Sequence, residues 1–99
     1  MVLGMSYEEL WKILDDLLAA LQKKGKAIPV EIKNDLRSAK SLLEILKKDP
    51  EGHKNLPRIE KYLENVEFYL LFSAQDILGS EYAEKWVRRI KRAHSKVYE

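Results

Sequence analysis

The stretch from Leu56 to Leu78 limits the fold more than any other part of the chain. Leu56, Ile59, Leu63, Val66, Leu70 and Ile77 recur at steps set by three and four, which is the seam of an amphipathic helix. From Phe68 to Phe72 the chain reads Phe-Tyr-Leu-Leu-Phe, so apolar side chains go all the way round. A helix that is apolar on every side is normally buried on every side. The expectation is an innermost helix against which the others pack.

Three further stripes supply those others. Ser6 and Glu9 have the spacing of a capping box, and Tyr7, Leu10, Trp11, Leu14, Leu17, Leu18 and Leu21 follow, with Ile13 widening the face. Gly25 is the stop signal. Pro29 suits the first turn of a second helix, along which Ile32, Leu36, Ala39, Leu43 and Leu46 repeat. That helix should end before Pro50, where Asp-Pro-Glu-Gly makes a natural turn. Asn55 can cap the third helix, Gly79 can stop it, and Ser80 can cap a fourth. Tyr82, Trp86, Ile90, Ala93 and Val97 form the fourth stripe. No strand pattern and no internal repeat is present.

The fold class is therefore all-α. Helices are expected at about 6–24, 29–48, 56–78 and 80–97. Short connections favour an antiparallel, up-and-down four-helix bundle, irregular at the tight Gly79–Ser80 corner. Residues 1–99 make one domain, large enough for a core without staples.

Composition removes several function classes. There is no Cys, hence no disulfide framework, thiolate metal site or Cys nucleophile. Charged residues reach 34% but the net charge is only +2, which excludes a globally basic nucleic-acid binder and leaves room for a local basic patch. No apolar run approaches a membrane span, and Met1–Met5 is too short for a signal peptide, so a cytoplasmic location is expected. The charged residues are mostly Lys and Glu, a lean shared with thermophile proteins.

Few side-chain groups suggest chemistry. No Gly-rich phosphate loop exists, and no cofactor is expected. A bundle metal site would use Glu-x-x-His, but Pro50 and Lys91 stand three residues before His53 and His94. Glu60, Glu64 and Glu67 share a stripe that a hard cation could use, though an acidic helix stripe ordinarily marks a solvated face. Both histidines have surface-like neighbours, which speaks against a Ser-His-Asp triad. The last helix carries the strongest charge signal: six basic residues and no acid between Lys85 and Lys96. Lys85, Arg88, Arg89, Arg92 and Lys96 fall on one stripe and form the candidate nucleic-acid contact. The competing reading is dipole matching, with Glu81 and Glu84 in the first turn and bases after them. Phe68 and Phe72 lie opposite the Leu63–Val66–Leu70 seam. Leaving both exposed would forgo roughly 1.5–3 kcal/mol each, so the fourth helix or the N-terminal lead-in should cover them, or a partner chain should.

The Ser6–Leu18 opening, Ile28-Pro29, Asp35-Leu36-Arg37-Ser38-Ala39-Lys40 and Lys61-Tyr62-Leu63-Glu64-Asn65-Val66-Glu67 together resemble an archaeal family of uncharacterised helical proteins. The resemblance implies an archaeal cytoplasmic protein, carries no activity with it, and allows the chain to be the N-terminal domain of a longer one. Arg89-Ile90-Lys91-Arg92-Ala93-His94 is similar to the Arg-x4-His spacing of HEPN-type helical ribonucleases. That similarity implies an RNA cleft, usually in a dimer, with Arg89 on a phosphate and His94 handling the proton. Ile90 departs from the pattern, and two residues five apart on a helix point about 140° away from each other.

Three functions follow in order of expectation. The first is a non-enzymatic interaction module that binds a protein, or a second copy of itself as a homodimer, through Phe68 and Phe72. The second is a nucleic-acid-binding module using the basic face, and the third is a HEPN-like ribonuclease.

Overall fold

Helices form where the apolar stripes repeat. In a computed structural model of the chain, which describes residues 3–49 and 54–97, they are α1 (Leu3–Gln22), α2 (Val30–Lys48), α3 (Leu56–Phe72), α4 (Gln75–Leu78) and α5 (Ser80–Val97). A 3-10 turn, Gly25–Ala27, joins α1 to α2. No strand occurs among the described residues.

The four long helices close a ring: α1 packs on α2, α2 on α3, α3 on α5, and α5 back on α1. Ion pairs show the directions. Glu8 near the start of α1 lies 3.9 Å from Lys47 at the end of α2, and Glu9 lies 3.1 Å from Lys96 at the end of α5. Glu60, early in α3, lies 3.8 Å from His94, late in α5. Ring neighbours are antiparallel, so the up-and-down bundle read from the sequence is the fold. Pairs this exposed contribute below about 1 kcal/mol and serve chiefly as register marks. Lys40 is more enclosed. Its Nζ sits 2.6 Å from Asp15 Oδ1 and 4.7 Å from the centroid of the Trp11 ring, tying α2 to α1 by charge and by a cation–π contact.

The core fills the inside of the ring. Leu10, Leu14, Leu17 and Leu21 come from α1, and Leu36, Leu43 and Leu46 from α2. Ile59, Leu63, Val66 and Leu70 come from α3, and Ile90 from α5. Removing each of these side chains from water contributes roughly 1.5–3 kcal/mol.

No helix is innermost, which corrects the expectation for the third. In a four-membered ring every helix has two packed sides and an outer one. Ile59, Leu63, Val66, Tyr69 and Leu70 fill the packed sides of α3, so Phe68 and Phe72 face outward, 65% and 69% exposed. The fourth long helix, α5, does not cover them, and the expected N-terminal cover, Met1–Met5, lies outside the residues whose side chains are described.

Several helix ends also differ from expectation. The α1 helix already runs from Leu3, which places Ser6 inside its first turn as a buried residue and leaves it no capping-box role. Pro29 stands at the N-cap of α2, one residue outside the helix. Asn55 occupies the N-cap of α3 without a side-chain cap bond, and Ser80 is the first residue of α5. The expected 56–78 helix is two. The N–H groups of Ser73 and Ala74 both donate to Tyr69 O at 2.9 Å, and Gln75 Nε2 donates to Leu71 O at 2.6 Å, which ends the ladder. One turn, α4, then leads to Gly79 at φ 88°. Tyr82, placed on the core stripe from sequence, is exposed and meets Trp86 edge-on with centroids 6.2 Å apart. His53 and most of the Asp-Pro-Glu-Gly turn lie outside the described residues.

Candidate functional site

Three outer features remain after the core is accounted for. The first is the aromatic pair on α3. Four residues apart on a helix, Phe68 and Phe72 stand one above the other. Their ring centroids are 4.6 Å apart at an interplanar angle of 45°. Each ring shields the other, and both stay open to solvent on their outer side.

The second is a groove of about 470 Å³ between α1 and α5. Lys85, Arg88, Arg89 and Arg92 line its α5 wall, as their shared stripe predicts. The fifth stripe residue, Lys96, is not part of the lining and instead donates to the Glu9 carboxylate at the groove. Lys12 enters from α1, and Ile13 and Ala93 give the groove apolar lining. Arg89 lies over the buried Trp86 ring, 4.5 Å from its centroid. Arg88 makes a loose, exposed pair with Glu84 at 4.0 Å. Sequence reasoning missed Lys12, because a helix does not record which neighbour its outer face will meet.

The third is a groove of about 390 Å³ between α3 and α5, lined by Glu60, Glu64, Glu67, Lys91 and His94. The predicted acidic stripe is therefore only partly solvated, and His94 is half-buried against it. No group of three or more residues suited to a metal ion occurs among the described residues. Arg89 faces the α1 side of α5 and His94 the α3 side, so this chain does not bring the Arg-x4-His pair into one site.

This third groove makes stability depend on pH. Burial holds the His94 imidazole below its ordinary value, against the opposing pull of Glu60 and Glu64. A base whose pKa is lower when folded binds fewer protons than in the unfolded chain, so stability rises with pH in that window. It is fully present above about 6.5 and lost as pH falls through the folded value. Burial pushes the Glu67 carboxyl up, with Lys91 opposing, and this gives the reverse slope nearer the carboxylate range. The expected result is that unfolding free energy declines as pH falls from 7 toward 6, and that His94→Gln flattens this limb. Urea titrations at stepped pH measure it; an unchanged limb in the variant assigns the slope elsewhere.

No helix among the described residues is long and apolar enough to cross a membrane. Ring closure, antiparallel neighbours and a leucine-rich interior define a helical bundle domain. A family model of the DUF2096 N-terminal four-helical bundle domain matches residues 7–98, and the chain belongs to that family. No curated protein and no solved structure matches the chain.

Proposed function

We propose that this domain is a non-enzymatic interaction module that docks a protein partner through Phe68 and Phe72, with a second copy of the chain as the occupant. One observation carries the reading: Phe68 and Phe72, the most exposed of the large apolar side chains among the described residues, stand against each other on one outer face, with Val30, Ile45 and Tyr82 less exposed. Aromatic residues are enriched at the cores of protein interfaces, and a partner recovers the burial that the isolated fold forgoes. Lys61 and Asn65 continue the same outer stripe and supply a polar rim. The net charge of +2 means that two copies repel each other weakly. A twofold axis through the stripe sets ring against ring. The separation of Arg89 from His94 favours this reading over a ribonuclease.

Sedimentation equilibrium tests the proposal. The chain is expected to dimerise with rising concentration, and Phe68→Ser with Phe72→Ser is expected to remain monomeric with unchanged helicity. A chain that stays monomeric at millimolar concentration overturns the self-docking reading. So does a double variant that dimerises as the parent does.

A further inference from the structure

We infer that the groove between α1 and α5 binds the phosphodiester backbone of a single nucleic-acid strand. The groove concentrates charge that the whole chain does not show. Five cations line it against two carboxylates, Glu9 and Asp16, a larger surplus than the +2 of the entire sequence. Glu9 is already occupied, at 3.1 Å from Lys96. Lys12, Lys85, Arg89 and Arg92 make no ion pair among the described residues. Apart from Arg89 over the Trp86 ring, these cations have no ionic or ring contact among the described residues, and like charges held together repel one another unless an anion arrives.

The arrangement suits a chain of anions. Lys85, Arg88 and Arg92 succeed one another along α5 about one turn apart, roughly 5 Å, so positive charge repeats along the groove as phosphates repeat along a strand. Three of the five cations are arginines, whose planar forks match phosphate oxygens two at a time. Stacking on Trp86 fixes the Arg89 plane and reduces the ordering entropy that binding would demand. Ile13, only partly buried, offers an apolar contact to sugar or base. Trp86 is covered, so no aromatic platform reads the bases, and binding should be indifferent to sequence.

Fluorescence anisotropy with labelled oligouridylate and oligothymidylate tests this. Both should bind at 50 mM salt, with affinity falling as salt rises at a log–log slope of about −2 to −3, the value for three to four phosphate contacts on a single strand. Arg88→Gln with Arg92→Gln, both at exposed positions, should reduce that slope by about 1.4 and weaken binding at least ~10-fold at 50 mM salt, with unchanged helicity. Absence of binding by the parent chain at that salt overturns the inference. So does a double variant that binds as the parent does. Equal competition by polyglutamate of matched charge also overturns it, and assigns the groove to acidic protein.

Discussion

Leu70→Ala is expected to remove about 2–5 kcal/mol of stability, whereas Phe72→Ala, which deletes a larger side chain, should change it by less than about 0.5 kcal/mol. Both residues belong to one apolar run on α3, and only their direction separates them. Leu70 is 0% exposed and points into the ring, where truncation leaves a cavity that neighbouring leucines fill incompletely. Phe72 is 69% exposed, and most of its surface is in water in either state. Alanine is also the better helix former, which offsets part of the packing against Phe68 that the substitution removes. A domain of this length has about 5–15 kcal/mol to lose, so Leu70→Ala should lower the urea midpoint by a large fraction. Circular dichroism through a urea series at two protein concentrations reads both effects. A loss at Phe72 that matches Leu70 at every concentration would mean the ring is covered within the monomer. A loss that appears only at high concentration is the signature of linked dimerisation.

The same run shows where sequence reading succeeds and where it stops. Each long helix was legible because its buried residues repeat at helical spacing: Leu10, Leu14, Leu17 and Leu21 lie on one side of α1 whatever they pack against. The α5 stripe was legible for the same reason, and so was the divergence of Arg89 from His94, since helical geometry alone sets the angle. What a helix does with an apolar surplus depends on how many neighbours it acquires, and that number is not a local property. Phe68 and Phe72 read as core because the run is apolar all round; the bundle gives α3 two packed sides, and the aromatic rings are on neither. Lys12 and His94 fail in the same way, for their surroundings are made by another helix. The break between α3 and α4 carries no Pro or Gly, and nothing in Phe72-Ser73-Ala74-Gln75 announces it. It exists because two donors converge on the Tyr69 carbonyl.

Gly79→Ala is expected to destabilise the domain by about 1–3 kcal/mol, more than Gly25→Ala. Both residues have a positive φ, and it is larger at Gly79. Gly25, at φ 61°, lies close to the left-handed helical value, which side chains enter for about 1 kcal/mol and which asparagine tolerates. Gly79, at φ 88° and ψ 142°, is near a region open essentially to glycine alone. An added Cβ would meet nothing within 4 Å at either position, so the whole effect comes from backbone strain and not from crowding. At Gly79 the chain must also turn from α4 into α5 while its N–H donates to Gln75 O at 2.8 Å and its carbonyl accepts from Ala83 at 3.0 Å. An alanine that relaxes toward ordinary φ gives up one of those bonds or swings α5 away from α3. Amides of α4 and the first turn of α5 should therefore lose hydrogen-exchange protection before those of α1 and α2. Gly25→Asn should leave exchange and melting close to the parent. Should Gly79→Ala prove as mild as Gly25→Asn in both measurements, the corner is not held at that dihedral, and the tight joint between α4 and α5 does not fix the last helix in the ring.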